Sequence, residues 1–466
     1  MNIPLLIVVI YIGALFAIGW VAKKRSQGST EQYTLAGRKL TTPLVMVSII
    51  GLAIGGASTI GVSEQAFKSG LSAGWYTAAW GIGAVVMGLF TAKAYRSRGF
   101  STIPELLERH YEKKGAILAV ACQIVIQLVI TSLQYVAGGS ILHTVLPEYF
   151  SLQTGMITSA VVFIGITFIG GMWSASLSNV LNTTLIYGGI IIATIVALGN
   201  QGGLASVAAR LPEGVPYLSW TAGVGWSTIA IWIVTLITVN LSLQSILQIA
   251  LGAKDENTAR AGFLWGGALI IPLGFVAALL GLIAKVAYPD AIPTLALPQV
   301  IMSLNPWLAG ITLAALWAAD VSTACNLLLA SATLFSKDIY KRFAKTDATD
   351  AQVAHMTRMA VAGLGLLTFI LALGVSGIIA TLMIGLSLCA AFSIVLLFTL
   401  FAPQFCRRSS AFWTLLAGII VLILWQFVPA VRVLPHVIYA EWLICSIVFF
   451  AVYIFDQNPI KITKIV

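Results

Sequence analysis

The sequence predicts an all-α polytopic membrane protein with about 13 transmembrane helices. Hydrophobic residues make up 59% of the 466 residues, charged residues make up 9%, and the mean hydropathy is +0.97. A soluble domain carries about 25% charged residues, so this chain has too few polar groups to cover a surface in water. Its apolar runs are close to the ~20 residues that a helix needs to cross a bilayer, and they do not alternate as barrel strands do.

The same observations exclude several functional classes. The composition argues against a soluble enzyme, a nucleic-acid partner and a disordered scaffold. The chain has no GxxxxGK[ST] phosphate loop and no HExxH or GxSxG motif, so neither ATP-driven transport nor catalysis is predicted. The five cysteines show no CxxC spacing, which predicts neither disulfides nor a zinc site.

Thirteen apolar runs are predicted to cross the membrane. They are 3–21, 42–66, 74–95, 115–143, 153–170, 173–199, 224–250, 261–288, 306–335, 358–375, 376–402, 411–428 and 433–454. Two divisions between neighbouring runs depend on glycines, one at Gly170-Gly171 and one near Gly374–Gly377. The first division is needed because residues 149–209 contain no Asp, Glu, Lys or Arg, and 61 residues are too long for one span.

The basic residues predict the orientation of the chain. If the N-terminus lies outside, 22 of the 26 Lys and Arg residues fall in or beside cytoplasmic segments, as the positive-inside rule expects. No basic region precedes the first run, which is followed by Lys23-Lys24-Arg25, so it is predicted to be a retained helix rather than a signal peptide. We therefore predict a multi-pass protein of the cell (plasma or inner) membrane, with lipid around it, its N-terminus outside and its C-terminus in the cytoplasm.

Asp320 is the acidic residue predicted to lie near the middle of a span, 306–335. An ionised Asp at the centre of a membrane helix costs ~2.5–3.5 kcal/mol, so such a residue is a functional hypothesis. It faces a wet cavity, pairs with another group, or stays protonated and donates a hydrogen bond to a neighbouring helix.

The same span carries a stripe of small and oxygen-bearing side chains. Ala319, Ser322, Thr323 and Asn326 share one helix face at spacings of three and four residues. Two adjacent hydroxyls suit a hard cation such as Na⁺, which prefers oxygen ligands. They equally suit bonds to the helix's own backbone or close packing between helices.

Two further clusters interrupt predicted spans. Gly55-Gly56 lies near the middle of 42–66, where each Gly weakens a helix by roughly 1 kcal/mol relative to Ala. A broken helix offers backbone carbonyls to an ion and a solute, whereas paired small residues also allow close helix contact. The polar stretch Thr238–Ser245 fits either a solute cavity or hydrogen bonds between helices. The same two interpretations apply to Asn179, Asn182, Gln123, Gln127 and Gln134.

The positions of the two interruptions predict a five-plus-five inverted repeat. Each opens a half of five spans, 42–199 and 224–402, as in transporters built from inverted repeats. Residues 200–223 then form an extracellular loop. Residues 1–41 hold an extra N-terminal helix and the first cytoplasmic loop, and residues 403–466 hold two extra C-terminal helices and a cytoplasmic tail.

Several motifs together resemble those of the sodium:solute symporter family, which has the leucine-transporter-type inverted-repeat fold. They are Tyr33-Thr34-Leu35-Ala36-Gly37-Arg38, Gly51 to Gly61, Phe100 to Leu107 with Arg109-His110-Tyr111, Gly170-Gly171 with 177–182, and Ala318 to Tyr340. The resemblance runs from about residue 33 to residue 400. It implies a secondary active transporter that imports a small polar organic solute together with Na⁺ by alternating access.

The resemblance also implies which residues bind each substrate. The co-transported Na⁺ would be held by the backbone carbonyls of Gly51, Ile54 and Ala319 and by the hydroxyls of Ser322 and Thr323. The solute would lie beside it, near Gly55, Gly56, Ser58, Thr59, Thr77, Trp80, Asn240 and Gln244. The sequence does not identify the solute or the oligomeric state.

The chain departs from the family pattern at two positions. Many members carry an Asp where this chain has Asn179, and an apolar residue is usual where this chain has Asp320. We hypothesise that Asp320 supplies a relocated carboxylate for a second ion, a proton or a cationic group of the solute. A proton-coupled symporter on the same fold is therefore the alternative, and a channel or receptor is a more distant one, since no ring of charge or output domain is present.

Overall fold

The computed structural model describes residues 3–373 and 378–460, and within these ranges the chain is helical without a β-strand. Eleven of the described helices are long and apolar enough to cross a membrane, and one bent pair of shorter helices adds a twelfth candidate. This confirms the all-α polytopic class that the composition predicts.

The helices are numbered here in chain order. The first ten are α1 (Ile3–Arg25), α2 (Thr30–Leu35), α3 (Thr42–Ala53), α4 (Val62–Ser69), α5 (Trp75–Val86), α6 (Ala92–Ser97), α7 (Ile103–His110), α8 (Lys113–Val145), α9 (Leu152–Asn200) and α10 (Gly203–Arg210). The others are α11 (Gly225–Ser242), α12 (Gln244–Gly252), α13 (Glu256–Ala287), α14 (Pro293–Met302), α15 (Pro306–Leu334), α16 (Asp350–Ala372), α17 (Ile378–Ser387), α18 (Cys389–Phe401), α19 (Ser410–Phe427) and α20 (Val437–Phe455). A π-helical turn, Ala57–Gly61, precedes α4, and a longer one, Phe335–Ala344, extends α15.

Helix α9 contains the predicted division at Gly170-Gly171. Its 49 residues would extend ~74 Å at 1.5 Å per residue, more than twice the hydrocarbon core of a bilayer. Gly171 has φ 52° and ψ −135°, a backbone conformation that residues with a Cβ rarely adopt. The predicted division near Gly374–Gly377 lies outside the described residues, so the count of 13 spans stays a prediction.

Both predicted helix interruptions are present. Helix α3 ends at Ala53, helical structure resumes at Ala57, and the two parts meet at an angle of 62°. The second interruption is a single extended residue, Leu243, between α11 and α12. The first helix of each predicted half is therefore discontinuous, while the symmetry between the two halves stays a prediction.

Helix α15 lies at the centre of the bundle. Every residue from Thr312 to Leu334 is buried, and the helix packs against α1, α3, α8 and α9. In contrast, α19 and α20 pack against each other and leave large apolar side chains exposed, as helices facing lipid do. Polar side chains on α15 consequently face other helices and not lipid, and their burial is tolerated only where they find partners.

Candidate ion and solute site

The interruption of α3 is held between α8 and α15. A Cβ added to Gly55 would lie 2.6 Å from Gln134 Oε1 and 2.7 Å from Thr323 Oγ1. A Cβ added to Gly56 would lie 2.7 Å from Asp320 Oδ1. These separations are shorter than van der Waals contact, so both positions require glycine and the broken backbone lies directly against the two helices.

The hydroxyl pair of α15 meets the end of α3. Ser322 Oγ lies 2.7 Å from the carbonyl oxygen of Gly51 and 2.8 Å from that of Ala319. Thr323 Oγ1 lies 3.0 Å from the Gly51 oxygen, 3.1 Å from the Leu52 oxygen and 3.1 Å from the Ala319 oxygen. Each hydroxyl has one proton to donate, so these distances describe a cluster of oxygens and not a set of simultaneous hydrogen bonds.

This oxygen cluster has the chemistry that a hard monovalent cation prefers. Its members are neutral hydroxyl and carbonyl oxygens, and the two side chains are buried, with Ser322 1% and Thr323 5% exposed. The carbonyls at the end of α3 also carry the negative partial charge of a helix C-terminus, which favours a cation. Of the predicted sodium residues, the structure therefore brings Gly51, Ala319, Ser322 and Thr323 together.

Ile54, the fifth predicted sodium residue, lies at the interruption itself. Its φ of −97° and ψ of 81° end the helix, and its backbone N–H donates to the carbonyl of Ile50 at 2.9 Å. Its carbonyl is thereby turned out of the α3 hydrogen-bond ladder. Among the described residues no hydrogen bond joins Ile54 to α15, so the role of the Ile54 carbonyl as a sodium ligand stays a prediction.

Asn179 borders the same cluster from α9. A Cβ on Gly51 would lie 2.8 Å from Asn179 Cγ, so the amide packs directly on the glycine. Asn182 Nδ2 donates to Asn179 Oδ1 at 3.3 Å, and the Tyr11 hydroxyl donates to Asn182 Oδ1 at 2.8 Å. Asn179 Nδ2 has no hydrogen-bond partner among the described residues. The amide is neutral, so it adds no charge to the oxygen cluster.

A narrow cavity of about 20 Å³ lies beside the interruption, far smaller than the ~300–1,000 Å³ of small-molecule sites. Its walls come from α3 and its interruption, α5, α8, α15 and α17, and from the extended residue Leu243 between α11 and α12. They consist of Leu52, Ala53, Gly55, Ala57, Ser58, Tyr76, Trp80, Ile130, Gln134, Leu243, Thr323, Leu327 and Leu382. Thr323 belongs to both the oxygen cluster and the cavity wall, so the two candidate sites share a side chain.

Three of the predicted solute residues line this cavity, namely Gly55, Ser58 and Trp80. Two others support its wall. Thr59 Oγ1 donates to the Gly55 carbonyl at 3.1 Å, and Thr77 Oγ1 donates to the Ser58 carbonyl at 3.2 Å. Gly56, between the lining residues Gly55 and Ala57, does not itself line the cavity and packs against Asp320.

Asn240 and Gln244, also predicted to bind the solute, do not line the cavity. Asn240 Nδ2 donates to the Leu236 carbonyl at 2.8 Å within α11. Gln244 Oε1 accepts from the Ile103 N–H at 2.8 Å, and its Nε2 donates to the Ser101 carbonyl at 3.2 Å. Their amides satisfy backbone groups, which is the hydrogen-bonding alternative for this polar stretch.

Among the lining residues that were assigned to neither the ion nor the solute from the sequence, Gln134 and Tyr76 carry polar groups. Gln134 Oε1 accepts from the Gly56 N–H at 3.0 Å and so fixes the start of the second half-helix. Tyr76 accepts a 3.4 Å hydrogen bond from the Trp80 indole one turn later on α5. The spacing of four between Tyr76 and Trp80 is a signal that could have found the tyrosine.

Asp320 is the unpaired carboxyl group of the site. It is 0% exposed; the Gly56 backbone N–H interacts weakly with it while donating to Gln134 Oε1, and neither of its oxygens has a well-formed hydrogen bond among the described residues. Leaving a buried acceptor unsatisfied costs about 1–3 kcal/mol, and more for a charged group. Within the described part of the chain, Asp320 therefore donates no hydrogen bond to a neighbouring helix, which was one of the interpretations of this residue.

Residues 33–418 match the sodium:solute symporter family. Among curated relatives, the chain is 28% identical over 405 residues to a sodium/glucose cotransporter of Vibrio parahaemolyticus, covering 77% of this chain and 72% of that protein. It is 25% identical over 429 residues to the high-affinity proline transporter PutP of Bacillus subtilis, covering 87% and 88%. Some relatives are longer: a 23% identical match covers 72% of this chain and 57% of sodium/glucose cotransporter 4 of Danio rerio.

The fold also matches solved structures. A Na⁺-coupled sialic acid symporter, in a substrate-bound outward-open state, superposes with a TM-score of 0.82 over 99% of each chain. The sequence identity is 16%, so this match concerns the fold.

Proposed function

Because this chain belongs to the sodium:solute symporter family, we propose that it carries a small polar organic solute across the membrane together with Na⁺. It is a multi-pass membrane transporter and not an enzyme. The observation that supports coupling most directly is the contact between the Ser322–Thr323 hydroxyls and the carbonyl end of the broken helix α3.

In this proposal Na⁺ binds in the oxygen cluster. The carbonyls of Gly51, Ile54 and Ala319 and the hydroxyls of Ser322 and Thr323 are its ligands. On binding, each hydroxyl turns its proton away from the carbonyls and presents a lone pair to the ion. The ion then replaces weak hydrogen bonds between α3 and α15 with stronger ion–oxygen contacts, and so fixes the interruption against α15.

Fixing the interruption is what couples sodium to the solute. The backbone that follows Gly51 forms one wall of the cavity through Gly55, Ala57 and Ser58. A sodium ion that orders this backbone completes the solute site, and a bound solute in turn holds the ion's ligands in place. Linkage requires that each ligand raise the affinity for the other by the same factor.

The energy available from sodium is sufficient for uptake. One charge moved across 100 mV yields about 2.3 kcal/mol, and a tenfold Na⁺ gradient adds about 1.4 kcal/mol. Entry of one Na⁺ per cycle could therefore concentrate a neutral solute several hundredfold. Alternating access delivers this energy, provided that the cavity opens to one side of the membrane at a time.

A solute screen on the purified full-length protein tests this proposal. Thermal unfolding is measured with sugars, amino acids, organic acids and urea, each in NaCl and in KCl at the same ionic strength. Glucose and proline come first, because relatives transport them according to their names. We expect one solute class to raise the Tm more in Na⁺ than in K⁺. Solute binding that is equal in both salts, with uptake into proteoliposomes driven by a pH gradient, would favour the proton-coupled alternative instead.

A further inference from the structure

Asp320 lacks a counter-charge in the part of the chain that the structure describes. None of the ion pairs found there includes it, although it lies at the middle of the fully buried stretch of α15. A buried carboxylate without a partner is destabilising, because it has lost its hydration without gaining other contacts. Such a group is expected where a partner arrives from solution during the functional cycle.

The position of Asp320 puts that partner on the cavity side of α15. Asp320, Thr323 and Leu327 share one helix face at offsets of three and seven residues, and the last two line the cavity. Asp320 Oδ1 would lie 2.7 Å from a Cβ on Gly56, which separates the lining residues Gly55 and Ala57. Asp320 itself does not line the cavity, and Gly56, between two lining residues, lies next to its carboxyl.

The sodium cluster leaves this carboxyl unused. Ser322 Oγ, on the neighbouring face of α15, lies 2.7 Å from the carbonyl oxygen of Gly51 in the last turn of α3 and 2.8 Å from that of Ala319. Asp320 instead meets the backbone after the interruption, where Gly56 presents an N–H, a donor that cannot ligate a cation. A second metal ion would lack a shell of oxygen ligands there, whereas an ammonium group brings its own donors.

The residues that line the cavity also suit a cationic group. None of its lining residues is Lys, Arg or His, so an anionic group of a solute would find no cationic side chain there. Tyr76 and Trp80 present aromatic rings, and these attract organic cations through their π-electrons. The wall is otherwise apolar apart from Ser58, Thr323 and Gln134.

From these observations we infer that the solute is a small amine or zwitterion, and that Asp320 pairs with its cationic nitrogen. The inference rests on the proposed function, since it assigns the chemical class of the solute in the same cavity. Na⁺ would still be held by neutral oxygens, with Asp320 reserved for the solute.

The test compares pairs of probes that differ in the cationic group. The pairs are L-proline with tetrahydrofuran-2-carboxylate, L-alanine with L-lactate, and piperidine with tetrahydropyran. Thermal stabilisation of the full-length protein is measured for each probe in NaCl and in KCl at one pH. We expect stabilisation in NaCl by at least one nitrogen-containing member and none by its oxygen counterpart. Equal stabilisation by both members of every active pair, or by no nitrogen-containing member, overturns the inference.

Variants at position 320 provide a second test of the inference. Asp320→Asn should raise the concentration of the active amine for half-maximal stabilisation at least tenfold, while Na⁺ alone still stabilises the variant. Asp320→Glu, which keeps the charge, should retain the preference for the amine, and Ser331→Ala on the same helix should match the unmodified chain. Unchanged amine affinity in Asp320→Asn overturns the inference, and a changed pH dependence in that variant would then point to a proton. If Na⁺ did not stabilise even the unmodified chain, that result would instead count against the proposed function itself.

Discussion

The Ser322 and Thr323 hydroxyls differ from the Ser331 hydroxyl of the same helix in what they contact. Both reach the Gly51 carbonyl of another helix, at 2.7 and 3.0 Å. Ser331 Oγ, two turns later and equally buried, bonds the Leu327 carbonyl of its own helix at 2.9 Å. The difference lies in the partner helix, so of these three hydroxyls only Ser322 and Thr323 contact the end of α3.

Removing one of these hydroxyls should weaken sodium binding. With Ser322→Ala we expect the Na⁺ concentration for half-maximal thermal stabilisation to rise at least tenfold, equivalent to about 1.4 kcal/mol. The physical reason is the loss of one of the proposed side-chain ligands. Ser331→Ala is the matched control and should leave the sodium titration unchanged. An unaltered titration in Ser322→Ala would remove this serine from the proposed ligands.

At this scale the sequence predicts some residues of the site and misses others. Ser322, Thr323 and the paired glycines are predictable, because two adjacent hydroxyls and two adjacent glycines in the middle of an apolar helix each suggest a specific chemistry. Gln134 and Gln244 are both intramembrane amides, yet one lines the cavity and the other binds the backbone ahead of α7. The sequence does not contain this distinction, because it depends on which helices are neighbours.

The interruption of α3 is the element on which both candidate sites depend. It places carbonyls beside α15 and forms a wall of the cavity, and it fits only because positions 55 and 56 lack a Cβ. Ser58 Oγ, donating to the Ala53 carbonyl at 2.7 Å, spans the break and satisfies one of the acceptors at the end of α3. The element is thus held by a side chain that follows the break as well as by its neighbours.

A methyl group at the interruption should disturb both sites together. In Gly55→Ala the new Cβ would lie 2.6 Å from Gln134 Oε1 and 2.7 Å from Thr323 Oγ1, and overpacking of this kind costs about 1–3 kcal/mol. We expect a lower Tm and a smaller Na⁺-dependent stabilisation than in the unmodified chain.

The matched control for that variant is Gly188→Ala in α9, where a Cβ would meet nothing within 4 Å. This control should keep the sodium response and, since Ala favours helix more than Gly does, should not lose stability. A Gly55→Ala protein with an unchanged Tm and sodium response would show that the interruption has more room than the structure indicates.

Helix interruptions could be predicted from the sequence, whereas the number of spans could not be fixed. Paired glycines predict the break in α3, and a cluster of polar residues predicts the one at Leu243. Gly171 marks the division in α9 with a positive φ, but helical structure continues directly on both sides of it without an intervening loop. A short turn between two apolar runs leaves little compositional signal, because the residues around it are buried as well.

At the scale of the whole molecule, the binding of sodium and the binding of solute should each strengthen the other. A ligand present at 100 times its Kd stabilises the protein that binds it by about 2.7 kcal/mol. If the interruption couples the sites, the factor by which Na⁺ lowers the Kd of the solute should equal the factor by which the solute lowers the Kd of Na⁺. Thermal unfolding over a grid of both concentrations measures the two factors. Effects of Na⁺ and solute that simply add, with neither Kd altered, would contradict coupling through a shared element.

Direct binding of radioactive ²²Na⁺ to the purified full-length protein tests the central claim, that the ion lies where the broken helix α3 meets α15. The account predicts saturable binding that K⁺ does not displace at equal concentration, that is lost in the double variant Ser322→Ala/Thr323→Val, and that persists in Ser331→Ala. Saturable binding of unchanged affinity in the double variant would contradict the account.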